Sequence, residues 1–209
     1  AAIIGLGLSI PIGAIAAVYR NSIIDHAFML FALFWVSMPS FWLAIVAILV
    51  FSLNLHLLPI SGRGGPFWTL NGLRHLALPA FAMGIRQVAI LSRLTRTKML
   101  EILGEDFIRT ARSKGLPERL VVFRHALRNA MIPTITVFGL QIPGLFGLSV
   151  VIETVFSWPG IGKLLVDAVL KRDFPLVQGI VVLYTVIVIL INLLVDVLYV
   201  YIDPRIKYE

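Results

Sequence analysis

The chain has 209 residues, 59% of them apolar and 14% charged, with a formal net charge of +7. A soluble domain carries about a quarter charged residues, so this composition excludes an ordinary water-soluble fold and points to a membrane protein, as does the mean hydropathy of +0.95. Nucleic-acid binding, the usual reading of a basic soluble chain, is set aside because the positive charge is local: nine of the 18 Lys and Arg residues lie between Arg93 and Arg128.

The chain holds no cysteine, which excludes disulfides, thiolate metal sites and a cysteine nucleophile. His26, His56, His75 and His125 show no helical ligand spacing, so no metal site is expected.

A helix crosses the hydrocarbon core with roughly 20 apolar residues, and five segments reach or approach that length. Residues 1–18 are uncharged and end at Tyr19-Arg20. Residues 27–52 are uncharged and contain Pro39. Residues 76–92 are shorter and carry Arg86. Residues 129–152 are uncharged, with Pro133 and Pro143, and residues 174–195 form the last apolar run. The stretch PISGRGGP at 59–66 is rich in turn residues. WPGIG at 158–162 is a second turn, and Ile161, Leu164, Leu165, Ala168 and Val169 then predict a short helix at the membrane surface. The fold class expected is an all-α, polytopic transmembrane bundle.

Lys/Arg bias sets the orientation. The basic segment 93–130 is then cytoplasmic, loops 54–75 and 153–173 are external, and the turn 19–26 and the tail 203–209, with Arg205 and Lys207, are internal. Residue 1 falls outside. With no initiating methionine and no basic stretch before the first apolar run, the expectation is an N-terminally truncated membrane domain, residues 1–209, that lacks at least one preceding span.

Within the basic segment, Leu103, Phe107 and Ala111 recur at helical spacing, and Glu105 and Asp106 precede Arg109, Arg112 and Lys114, the order that suits a helix dipole. Gly115 is a natural helix stop and Pro117 a natural first-turn residue. Leu116, Leu120, Phe123 and Leu127 then repeat with helical period. Helix, glycine turn and amphipathic helix therefore follow one another. Three readings of this element stand at the level of spacing: a solvated topology signal, a surface helix on anionic lipid, or a knob that fits a groove on a soluble partner.

Charges inside membranes are costly and often functional. Arg86 and Asp196 each lie near an inner span end, where Arg86 can snorkel and Asp196 can pair with a basic residue or face a partner. Glu153 closes the fourth span at the outer surface, as an interfacial carboxylate, a partner contact or a gate residue. Ser37-Met38-Pro39-Ser40 and Gln141-Ile142-Pro143-Gly144 are sites where proline either frees backbone carbonyls toward a pathway or simply kinks a helix at a helix contact; Ser37, Pro39, Gln141 and Pro143, with Glu153 at the outer end, are the candidate pathway or gate positions. Trp35, Trp42, Trp68 and Trp158 read as packing or interface anchors.

Several strings now carry a resemblance: SRLTRTKMLEIL at 92–103, RTARSKGL at 109–116, RHALRNAMIP at 124–133, VVIETVFSWPGIGKLLVDAV at 150–169, RDFPLVQG at 172–179 and NLLVDVLYVYIDPRIKY at 192–208. Together they resemble ABC importer permeases of the peptide/nickel transport family, in the branch typified by the dipeptide permease B subunit, over nearly the whole chain. The resemblance implies a type I importer permease with five spans present of six. It implies a coupling helix formed by Arg109, Thr110, Ala111, Lys114, Gly115, Leu116, Pro117 and Arg119 that docks on an ATPase subunit. The broader family reads Glu-Ala-Ala before the glycine; here Arg109, Thr110 and Ala111 stand there, so no contact through that glutamate is expected.

The implied partners are a second permease, two cytoplasmic ATPases, an external solute-binding protein and the lipid of a bacterial inner membrane. No enzyme activity and no bound cofactor are expected in this chain, ATP and magnesium belonging to the ATPases. PGIGKLL at 159–165 is no phosphate loop, since Ser157 and Leu164 occupy the positions that require glycine and a hydroxyl. The solute, whether dipeptide, oligopeptide, nickel chelate or glutathione, stays open. A secondary transporter or channel is the alternative, disfavoured by the absence of internal repeats and mid-span acids. An intramembrane enzyme would need a nucleophile–base pair or metal ligands at depth.

Overall fold

A computed structural model describes residues 1–202, all of whose regular structure is helical. The expected internal tail 203–209, with Arg205 and Lys207, lies outside the described residues. In chain order the helices are α1 (Ala2–Val18), α2 (Ile23–Ser37), α3 (Ser40–Ala47), α4 (Leu70–Leu103), α5 (Asp106–Ser113), α6 (Glu118–Leu120), α7 (Arg128–Val155), α8 (Ile161–Leu170) and α9 (Phe174–Ile202). A π-helical stretch, Ile48–Asn54, prolongs α3, and another, Val121–Leu127, joins α6 to α7.

Every apolar segment folds as helix, which keeps backbone hydrogen bonds inside the segment, as lipid requires. Among the described residues, three helical stretches are long and apolar enough to cross a membrane: Leu70–Leu103, Glu118–Val155 and Phe174–Val197. The α1 helix is equally apolar but has 17 residues. Residues 27–52, expected as one span, are interrupted at Pro39. The residue before a proline is driven out of helical geometry. This ends α2 before Met38, and Pro39 itself sits extended, with ψ 135°, at the N-cap of α3. Its carbonyl accepts the Leu43 amide at 3.0 Å. Pro143 lies within continuous α7, as the single uncharged segment 129–152 allows. It withholds one N–H from the preceding turn but does not end the helix.

The chain divides into two compact units, one of Ala2–Ser37 with Arg86–Gly139, the other of Met38–Ile85 with Leu140–Leu198. In the first, α1 presents small residues, with Ser9, Gly13, Ala14, Ala16 and Ala17 buried. Small residues let helix backbones approach closely in membranes. A Cβ on Gly13 would meet the Ser92 carbonyl and the Thr95 side chain of α4, so α1 packs directly on the α4 backbone. Thr95 is fully buried and bonds the Thr134 hydroxyl at 3.2 Å, tying α4 to α7. In the second unit, Ala44, Ala47, Leu78, Ala82, Ile152 and Phe156 form the core. The carbonyl of Phe156 accepts the Gly62 amide at 2.9 Å, fixing the PISGRGGP turn to the end of α7. The short helix expected after WPGIG is present as α8.

Replacing Gly13 with Leu forces α1 off α4 and should destabilise the folded protein by about 1–3 kcal/mol, the usual cost of overpacking. Leucine at Gly7, where a Cβ meets nothing within 4 Å, should be near neutral. Thermal midpoints of the two variants in detergent check the contrast.

Candidate functional site

The basic segment is more compact than its spacing suggests. Helix α4 continues to Leu103 and α6 runs through the π-helical stretch into α7. Between them stand Gly104-Glu105, α5 and the turn Lys114–Pro117. Glu105 is the extended N-cap of α5, and Asp106 opens its first turn while Arg112 lies in its last, as the helix dipole favours.

The end of α5 is closed by backbone geometry. The Gly115 amide donates to the Arg112 carbonyl at 2.9 Å and the Leu116 amide to the Ala111 carbonyl at 3.4 Å. Gly115 carries φ 74°. This pairing, with glycine in the left-handed region, is a Schellman motif, and it satisfies carbonyls that a helix end leaves orphaned. Its hydrophobic partner contact is also present: Ala111 is buried, and Leu116 packs against the same cluster. A bidentate ion pair then bridges the turn, Arg112 Nη2 to Glu118 Oε1 at 2.6 Å and Nε to Oε2 at 3.1 Å. Hydrogen bonding to that carboxylate raises the Arg112 guanidinium above its already high ordinary pKa. Both side chains face solvent, so the pair contributes at most about 1 kcal/mol and serves mainly to fix the angle of the turn.

Underneath, Ile108 and Ala111 of α5 pack on Met99 of α4, on Val121, Val122, Ala126 and Ala130, and on Ala14 and Ala17 of α1. Phe107 and Phe123, which share the helical spacing of this segment, are 46% and 61% exposed. Of the residues singled out for coupling, Ala111 and Leu116 are therefore anchors. Arg109, Thr110, Lys114, Gly115, Pro117 and Arg119 are exposed on one short knob.

A second feature escaped the sequence reading. Asp25, in the first turn of α2, holds Arg96 of α4 through two hydrogen bonds, Nε to Oδ1 at 2.5 Å and Nη2 to Oδ2 at 2.6 Å. The Asp25 side chain is 3% exposed and that of Arg96 21%. The Asn21 amide adds a third bond to the carboxylate at 3.0 Å. The signal was available: Asp25 is the only acid among the first 100 residues, and a lone carboxylate next to an apolar run needs a partner. Arg96 lies one turn from Met99, so this pair fastens the α1–α2 turn to the helix that supports the knob.

The candidate pathway residues do not form one cluster. Ser37 ends α2, and its hydroxyl is committed to the Leu33 carbonyl at 2.9 Å. Gln141 and Glu153 share α7 but lie twelve residues apart, roughly 18 Å along the axis. Glu153 accepts the Lys163 amide at 3.1 Å, so it caps the start of α8. Arg86 and Asp196 are exposed, and neither takes part in the four ion pairs of the described residues.

Long apolar helices joined by a short basic helix-and-turn segment define a polytopic helical membrane protein. Residues 9–208 match the family described as binding-protein-dependent transport system inner membrane component, and the chain belongs to that family. It is 45% identical to the di/tripeptide transport system permease protein DppB of Pseudomonas aeruginosa, over 94% of this chain and 65% of that protein. It is 43% identical to the dipeptide transport system permease protein DppB of Escherichia coli K12, over 100% of this chain and 69% of the relative. It is also 43% identical to the oligopeptide transport system permease protein AppB of Bacillus subtilis, over 99% and 66%. The chain thus spans about two thirds of the length of these relatives.

Arg96→Met should leave a buried carboxylate unpaired and lower stability by about 3–5 kcal/mol. Adding Asp25→Asn, which removes the charge but keeps an acceptor for the Asn21 amide, should recover more than half of that loss. A double-mutant cycle on thermal midpoints measures the coupling.

Proposed function

We propose that this chain is a membrane-spanning permease subunit of an ATP-driven importer, most specifically one for di- or oligopeptides. Its apolar helices form part of the translocation pathway, and the segment around residues 93–130 is the cytoplasmic coupling element. The observation that carries this reading is the knob itself: a Schellman-closed helix end, exposed at Arg109, Thr110, Lys114, Gly115, Pro117 and Arg119, seated on a core shared with α1, α4 and α7. A push on such an element is delivered to helices rather than absorbed by a loose loop. Rigid-body rocking between two access states needs that connection.

ATP hydrolysis is assigned to two separate cytoplasmic subunits, which would hold the nucleotide and magnesium; this chain binds neither in the proposal. A second permease completes the pathway, and an external solute-binding protein delivers the solute. The relatives from three bacteria, bearing dipeptide, di/tripeptide and oligopeptide transport names, support a peptide solute. Ser37, Pro39, Gln141, Pro143 and Glu153 remain proposed pathway or gate positions, and residues 153–173, with α8, are proposed as external. Exposed Phe107 and Phe123 belong to the docking face in this reading: aromatic side chains flanked by arginines are the kind of anchor that fills a partner's groove.

Gly115 supplies the test. A Cβ there meets nothing within 4 Å and suffers only from φ 74°, so Gly115→Ala costs about 1 kcal/mol of backbone strain and should leave transport largely intact. Gly115→Trp should still insert and assemble but obstruct docking. Solute-stimulated ATP hydrolysis and uptake by the reconstituted complex should fall at least about tenfold, a loss of roughly 1.4 kcal/mol in effective coupling. Normal coupled uptake by the tryptophan variant would refute the coupling role.

A further inference from the structure

Glu153 carries more than a capping role. Its carboxylate lies against the backbone at Gly160, where any Cβ would collide with it, and accepts the Lys163 amide. The same carboxylate lines a cavity of about 250 Å3 whose walls include Phe146, Ile161 and Ile187. The other polar groups on the wall are the hydroxyls of Ser149 and Tyr184. Ser149 donates its proton to the Phe146 carbonyl at 2.8 Å. Tyr184 is left to donate to Ser149 Oγ at 3.2 Å or to the Phe146 carbonyl at 3.4 Å.

Both hydroxyl protons are therefore committed to protein, and the lining offers acceptors only: a carboxylate and hydroxyl lone pairs. No ion pair of the described residues includes Glu153. An ionised carboxylate among apolar walls gains most from a cation. A lining of acceptors with no free donor selects a cation rich in N–H groups. The edge-to-face rings of Phe146 and Tyr184, with centroids 6.3 Å apart, add a surface that favours positive charge. The volume is below that of ordinary drug-sized sites and suits one terminal residue rather than a whole peptide.

We propose that this cavity is a subsite for a primary ammonium group, with Glu153 as the counter-ion and the Tyr184 hydroxyl oxygen as second acceptor. Identifying that ammonium as the free amino terminus of a transported peptide rests on the importer reading above. The affinity for a small ammonium does not.

The test uses the assembled permease–ATPase complex in nanodiscs, without the binding protein, and n-butylammonium as probe, with n-butanol as the uncharged control. Saturable binding of the ammonium and not the alcohol is expected. Glu153→Gln retains a carbonyl oxygen for the Lys163 amide and so preserves the cap while deleting the charge; it should weaken ammonium binding at least about tenfold. Tyr184→Phe, which leaves the Glu153 contacts in place, should weaken it about two- to fivefold. It carries the test alone if the glutamine variant fails to assemble. Ammonium binding that is absent from the wild-type complex, or unchanged in the variants that assemble, overturns the subsite. Uptake of dialanine and N-acetyl-dialanine with the complete system separates the two readings. If neither peptide is imported while butylammonium binding depends on Glu153, the peptide assignment fails and the ammonium site stands.

Discussion

The packing of an eight-residue helix on alanines of its neighbours is the contact on which the rest depends. Alone, α5 is far too short to hold its shape in water. It persists because Ile108 and Ala111 are buried on Met99, Val121, Ala126 and Ala130, and because Ala14 and Ala17 close the same cluster from α1. The small residues matter as much as the apolar ones. Ala14, Ala17, Ala111, Ala126 and Ala130 make up most of the buried cluster, and residues this small let helix backbones approach closely.

Polar satisfaction governs how the helices around this contact are joined. The Schellman closure at Gly115 ends α5 without orphaned carbonyls, and the Arg112–Glu118 pair sets the direction in which the chain leaves. Further in, Asp25 and Arg96 form a buried pair with additional backbone support. Such a pair is a poor source of net stability against an apolar alternative, yet costly to break from one side. That asymmetry suits a joint that must keep one arrangement: the α1–α2 turn stays attached to the part of α4 that carries the knob. At the other end of α7, Glu153 plays a related part by capping α8, but with a largely apolar cavity beside it.

Proline illustrates why local rules need context. Pro39 breaks its segment, whereas Pro11, Pro79 and Pro143 lie inside continuous helices. A proline within a helix forfeits one hydrogen bond and strains the preceding turn. The sequence states that cost and leaves undecided whether neighbouring packing absorbs it or the helix ends.

Much of this protein was legible in the residues alone. Apolar run length required helices, since nothing else without a closed barrel satisfies its backbone in lipid. Charge segregation located the basic knob, and Gly115 with Pro117 marked its turn, because left-handed backbone and a missing N–H are properties of single residue types. The family strings carried the fold. What only the tertiary structure decided was which faces meet. Ile108 and Ala111 are buried while Phe107 and Phe123 stay exposed; Asp25 finds Arg96 across 71 residues of sequence; Glu153 meets α8 and a cavity together. Each of these depends on distances between segments far apart in the chain, and helical periodicity carries no information about which neighbour a helix face will have.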